Sequence, residues 1–353
     1  MEIKEILSKA IEQHASDIFI VAGTKVAFKI SGTLQLVGDE VLKPIDTENL
    51  IRQIYDLSSG IKKSIDSVQK CGEDDFSFSL SELGRFRANV YYQRGSLAVV
   101  LRVVPFTLPN PIDYHIPQNI IDLAKLNKGL ILVTGSAGSG KSTTLACIID
   151  EINRTKNNHI ITIEDPIEYL HSHNKSIVSQ REIGHDTSDY LSALRAALRE
   201  APNVILVGEM RDLETVNVAL SAAETGHLVL STLHTLGAAE TISRIIDIFP
   251  ANQQAQIRVQ LTMVLQAVVS QQLLKGKDGK LVPAFEIMKT SPAIKTQIRD
   301  NKVHLIDNTI SISKDLGMIS MDDSIVDLYK HALITRETAL EQCSNKELVM
   351  RKL

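Results

Sequence analysis

Along the first hundred residues apolar and polar positions alternate in short runs, the period of half-buried strands. Residues 16–22 and 26–30 read as strands, with Ser31-Gly32 as the turn into a third at 33–37. A helix is predicted after Asp46, which caps it, with Leu50, Ile51, Ile54 and Leu57 on one face. Residues 75–80 and 85–94 read as a hairpin joined through Ser81-Glu82-Leu83-Gly84. On its second strand Arg85, Arg87 and Asn89 share one face, and Phe86, Ala88 and Val90 the other. Arg102 stands in the apolar strand 97–104, and Met1 to Leu7 opens the chain as an amphipathic helix.

The pattern breaks at residues 105–117, which hold Pro105, Pro109, Pro111 and Pro117. Proline removes an amide donor and restricts its predecessor, so this segment reads as an extended linker and a domain boundary. Beyond it, buried apolar strands at 130–134, 160–163, 204–207 and 228–230 alternate with helices. The first helix starts at Lys141 with Leu145, Ile148, Ile149 and Ile152 at helical spacing, and others span 188–199 and 213–223. Such alternation predicts an α/β domain with a largely parallel sheet. After about residue 252 the chain reads as helical, apart from a short charged turn at 275–280.

A length of 353 residues is enough for two domains with their own cores, and 44% apolar with 23% charged residues is an ordinary globular balance. A net charge of −4 gives no global sign of nucleic-acid binding, and no direct nucleic-acid partner is expected. No apolar run is long enough to span a bilayer, no secretory leader is visible, and Cys71, Cys147 and Cys343 form no Cys-x-x-Cys pair. The expectation is a cytoplasmic protein with reduced thiols and no transmembrane segment.

The chemistry concentrates at strand ends. Gly135-Ser136-Ala137-Gly138-Ser139-Gly140-Lys141-Ser142-Thr143 is a complete P-loop, placed after a strand and opening a helix. Its glycines permit tight turning so that successive amides converge on phosphate oxygens, and the helix N-terminus adds its positive end. Lys141 would reach the β- and γ-phosphates, and Ser142 would hold Mg2+. The strand 204–207 leads through Gly208 to Glu209, a carboxylate suited to Mg2+ or to the attacking water. Glu164 ends another strand in Glu164-Asp165-Pro166, where it could orient or deprotonate that water; a solvated acidic turn is the plain alternative. His227 and His234 flank the strand 228–230, positions that suit either structure or the sensing, by hydrogen bonding, of the γ-phosphate or a neighbouring subunit. His171-Ser172-His173 reads as a solvated loop, with no further metal ligands in sequence.

Together these segments resemble the secretion and pilus ATPase superfamily, most closely its PilT-like pilus-retraction motors. Residues 162–168 look like the family's acidic Asp box, 194–212 like its Walker-B signature, and 225–235 like its His box. His14-Ala15-Ser16-Asp17 and residues 84–89 match as well, and Ala293-Ile-Lys-Thr-Gln-Ile-Arg-Asp300 is similar to a motif of retraction motors, with Lys295, Thr296 and Gln297 departing from it. Further departures are Ser136 and Ala137, Asn203, and Leu236-Gly237. The resemblance implies a PAS-like α+β domain at 1–104, a linker at 105–118, a RecA-like ATPase domain at 119–290 and a C-terminal helical region at 291–353. It implies ATP and Mg2+ as ligands, a homohexameric ring, and a membrane-embedded pilus platform as partner at the inner face of the cell membrane. Glu164 is then the expected general base, with Glu209 as the alternative. Arg85, Arg87 and Arg102 are expected to reach nucleotide from the small domain, across a subunit boundary. These 353 residues show no Cys-x-x-Cys insertion and no counterpart of the extra N-terminal domain usual in assembly and secretion motors, so a retraction motor is expected; a sibling motor for assembly, secretion or DNA uptake is the alternative.

Overall fold

The computed structural model describes every residue except Met1, Ser31, 59–64, 81–82 and 105–106. Met1, where the first helix is expected to begin, Ser31 of the first turn, Ser81-Glu82 of the hairpin turn and Pro105-Phe106 of the proline-rich segment therefore lie outside the described residues. The chain divides into two compact units, Met1–Thr107 with Glu168–Leu170, and Leu108–Ile167 with His171–Leu353.

In the first unit α1 (Ile3–Glu12), α2 (Pro44–Leu57) and α3 (Ile65–Cys71) accompany an antiparallel sheet of β1 (Asp17–Ile20), β2 (Val26–Ile30), β3 (Thr33–Val37), β4 (Glu73–Leu80), β5 (Gly84–Gln93) and β6 (Ser96–Val104). The strands are ordered β3-β2-β1-β6-β5-β4. Strand alternation explains the core: Phe86, Ala88 and Val90 are buried with Ile18, Phe28, Ile51 and Leu101, and Phe86 stacks on Phe78 with ring centroids 5.4 Å apart. Asp46 does not occupy the N-cap of α2. It sits inside the first turn, where its carboxylate accepts from the Lys43 amide at 2.7 Å, because Pro44 starts the helix three residues earlier than a cap at Asp46 would.

The second unit opens with α4 (Gln118–Ile121) and then follows β7 (Gly129–Thr134), α5 (Lys141–Thr155), β8 (His159–Glu164), β9 (Ile177–Glu182), α6 (Tyr190–Ala197), β10 (Val204–Val207), α7 (Leu213–Glu224), β11 (Leu228–Leu233), α8 (Ala238–Asp247) and α9 (Ala251–Val264). Two long strands come next, β12 (Leu265–Lys275) and β13 (Leu281–Lys289), before α10 (Pro292–Arg299), α11 (Ile306–Ile312), α12 (Met321–Lys330), α13 (Arg336–Gln342) and α14 (Lys346–Met350). These strands correct the expectation of helix throughout this stretch. β12 joins the sheet parallel to β7, is buried on both faces and so shows no alternation, and turns back through Asp278-Gly279 into β13. The sheet order is β13-β12-β7-β11-β10-β8-β9, with only β13 antiparallel.

Parallel pairing sets the site. Thr134 lies opposite Leu233, and Val207 lies opposite both Ser231 and Ile163. The carboxyl ends of β7, β11, β10 and β8 therefore emerge along one edge, the edge at which open α/β sheets bind ligands.

Candidate nucleotide site

At the head of α5 the chain turns through Gly135, Gly138 and Gly140, all at positive φ (144°, 75° and 89°). Gly135 has a second reason to lack a side chain, since a Cβ there would run into the Gln271 carbonyl and the Ser139 hydroxyl. Lys141 is nearly buried, and its Nζ donates to the Gly135 and Ser136 carbonyls at 2.9 and 2.8 Å, inside the curve of the loop. The Ser139 hydroxyl is buried with no hydrogen-bond partner. A glycine cradle, an enclosed ammonium, an unsatisfied hydroxyl and the N-terminus of a 15-residue helix fit a polyphosphate.

Gln271 of β12 holds this loop from behind. Its Nε2 donates to Ser139 O at 2.6 Å, and its Oε1 accepts from Thr144 Oγ1 at 2.7 Å. The residue was invisible in the sequence because its segment read as helix and its partners lie far upstream. Beside Gly140 and Thr143 opens a cavity of about 560 Å3 walled by Tyr114, Ile116, Val282 and Phe285, with Lys277 and Lys280 also lining it. Apolar walls next to a phosphate cradle suit a nucleoside base. The cavity draws on four separate stretches of chain, around residues 113–116, 140–144, 271–285 and 332–333, so no local motif announces it.

Glu164 and Glu209 stand at neighbouring strand ends. Glu164 Oε1 accepts from Thr162 Oγ1 at 2.6 Å and from Gln180 Nε2 at 3.2 Å. Glu209 pairs with Arg211 at 2.6 Å, and His234 Nε2 stands 3.6 Å from its other oxygen. The structure thus brings Glu164, Glu209, His234 and the P-loop to one edge of the sheet. His227 lies at the opposite edge, since the six-residue strand β11 separates it from His234, roughly 20 Å at the rise of a strand. Its Nδ1 donates to Ala222 O at 2.9 Å. Residues 171–173 form a loop in which Ser172 and His173 are exposed, as expected, while His171 is half-buried; burial pushes its imidazole down to about 4, and His173 accepts from the Val178 amide. After the His box, Gly237 N donates to Ser270 Oγ and Ala238 N to the buried Glu286 carboxylate, at 2.8 and 2.7 Å. The loop leaving β11 is thereby anchored to paired positions of β12 and β13.

In the first unit, Arg85 donates to Ser79 Oγ, Arg87 pairs with Asp75 at 2.6 Å, and Arg102 pairs with Asp17 at 3.1 Å. Sheet pairing brings Asp75 to Arg87 and Asp17 to Arg102 from neighbouring strands.

A P-loop opening a helix from a parallel sheet, with carboxylates at adjacent strand ends, defines a nucleotide-binding P-loop ATPase. Residues 1–280 match the family of type II/IV secretion system proteins. The chain is 42% identical to the type IV pilus retractation ATPase PilT of Pseudomonas aeruginosa, over 98% of this chain and 99% of that one. It is 46% identical to a twitching motility protein of Neisseria gonorrhoeae, covering 78% of this chain and 74% of the relative. A crystal structure of the pilus retraction motor PilT with bound ADP superposes with a TM-score of 0.90 at 48% identity, covering 99% of both chains. The chain belongs to the type II/IV secretion system protein family, and its fold is that of the family's RecA-like ATPases with helices at the C-terminus. Among the described residues no helix is long and apolar enough to cross a membrane.

Proposed function

We propose that this chain is the ATPase motor of type IV pilus retraction, working as a homohexameric ring against a membrane-embedded pilus platform. The observation that carries the reading is the P-loop with its enclosed Lys141, set beside two strand-end carboxylates, in a chain similar over almost its whole length to PilT. Lys141 neutralises the β- and γ-phosphates, and residues 135–143 cradle them through their amides. Ser142 and Glu209 are the residues that would hold Mg2+, which would supply charge neutralisation at the phosphates. Glu164 takes the proton of the attacking water. Thr162 and Gln180 fix the carboxylate of that base by its Oε1. His234 responds to the γ-phosphate through Glu209, and His227, at the far end of β11, serves a neighbouring subunit. Arg85, Arg87 and Arg102 leave their carboxylate partners to meet nucleotide held by another copy. The ring sits at the inner face of the membrane.

Two variants of the full chain test this. Lys141→Ala removes the P-loop cation and abolishes turnover with weakened nucleotide binding. Glu164→Gln keeps shape and removes basicity, so ADP affinity is retained while steady-state ATP turnover collapses. Normal turnover in Glu164→Gln would transfer the base role to Glu209. In cells, loss of the gene leaves pili present and twitching absent; cells without any pili would point to an assembly motor instead.

A further inference from the structure

Tyr190 begins α6, immediately after Asp189, whose carboxylate accepts from the Ser192 amide at 2.7 Å and fixes the start of the helix. Tyr190 is half-buried and packs against the core cluster that includes residues of β8, β10 and α7. The hydroxyl is carried over the ends of β8 and β10 to Gly208, the residue before Glu209. A Cβ on Gly208 would lie 2.9 Å from Tyr190 Oη and 3.1 Å from Ile163 O, so the glycine leaves the place in which the phenol sits. The neighbouring carboxylates are already engaged, Glu164 by Thr162 and Gln180 and Glu209 by Arg211. The phenol, by contrast, donates to no group among the described residues. Strand β11 alone intervenes between β10 and β7, which carries the P-loop, so the two strand ends are about 10 Å apart. That is within the reach of a triphosphate extended from the loop.

We propose that Tyr190 is a further catalytic residue of ATP hydrolysis, its hydroxyl donating a hydrogen bond to an oxygen of the γ-phosphoryl group as it transfers. The inference rests on the ATPase reading above. Water's oxygen forms a bond to the γ-phosphorus while the bond to the β-phosphate oxygen breaks, its electron pair leaving with ADP. The water proton passes to Glu164, and Tyr190 keeps its own. A neutral donor suits this edge, because a cation there would be captured by the carboxylates, as Arg211 is by Glu209. Burial, with Glu209, Asp165 and Glu164 nearby, holds the phenol protonated at any physiological pH, with Arg211 opposing only in part.

Tyr190→Phe removes one oxygen and keeps the ring. In the full chain, kcat should fall about 10- to 100-fold, the range for losing a hydrogen bond to a charged group, while KM for ATP and affinity for a fluorescent ADP stay within about twofold. Tyr190→His, which retains a donor, should recover part of that loss. An unchanged kcat in Tyr190→Phe, beside active wild type and inactive Lys141→Ala, would dismiss Tyr190 and leave the ATPase reading intact. A raised KM at unchanged kcat would equally overturn the proposal, since the contact would then belong to ground-state binding. If Tyr190→Phe loses melting temperature along with kcat, no recovery in Tyr190→His counts against the hydroxyl. Absence of turnover in the wild-type ring would remove the reading on which the proposal stands.

Discussion

Gln271 ties the strand β12 to the phosphate loop: its amide donates to the Ser139 carbonyl at 2.6 Å while the same side chain accepts from Thr144 at 2.7 Å. Both partners are buried, and Gln271 is only 2% exposed. Gln271→Leu preserves volume and leaves two polar groups without partners. The expected cost is about 2–4 kcal/mol of stability, with weaker ADP binding because the loop loses its support. Denaturant unfolding and titration with fluorescent ADP measure both; wild-type values in each would show the bridge to be ornamental.

Acid sensitivity should centre on Asp323. Burial alone would raise this carboxyl, but hydrogen bonds from Lys352, Lys314 and Ser320 outweigh it and bring the group to about 2. A folded pKa below the unfolded one contributes stability that is fully present above about pH 4 and is lost as pH falls from there towards 2. Asp323→Asn should therefore be less stable than wild type at pH 7, and the two should draw together as pH falls through about 2. Unfolding midpoints across that range test it, and parallel curves would assign the acid response elsewhere.

Much of this architecture was legible because its signals are local. The glycine spacing and lysine of the P-loop, the amphipathic α5 and the apolar strands ending in Glu164 and Glu209 each carry their meaning within a few residues. β12 was not legible, because a strand buried on both faces shows a run of apolar and small polar residues that a helix also tolerates. The Asp278-Gly279 turn was the available clue. Gln271 and Tyr190 acquire their roles only when distant segments meet. The two histidines of one motif look equivalent in sequence, yet the length of β11 sends them to opposite edges of the sheet.

The arginines of the first unit carry a prediction about subunits. Arg87 is paired with Asp75 across the sheet, and both side chains are partly exposed, so the pair is weak enough to be exchanged for a phosphate. Arg85→Ala with Arg87→Ala should lower turnover by about tenfold or more while altering stability little. A chain inactive through Lys141→Ala, mixed with a chain inactive through the arginine changes, should regain activity if the arginines serve a neighbour's nucleotide. Mixed rings that form and hydrolyse nothing would reject action in trans.

The helix α10 separates hydrolysis from its use. Ser291 caps it by accepting from the Ile294 amide, and Ile294 and Ile298 are fully buried, which fixes the helix on the second unit. Gln297 adds a hydrogen bond to Thr309 at 2.8 Å, joining α10 to α11. Lys295 and Arg299, four residues apart, lie on the exposed side, where Arg299 meets its neighbour Asp300 at 3.0 Å. Nothing in this arrangement contributes to the nucleotide site. Changing both to Ala should shift stability by no more than about 0.5 kcal/mol, because neither anchors the helix. Purified ATP turnover and ring assembly should match wild type. If the cationic side meets the machinery that the ring drives, the same double variant should abolish twitching in cells that still display pili. Twitching at the wild-type rate would confine α10 to packing and move the coupling surface elsewhere on the ring.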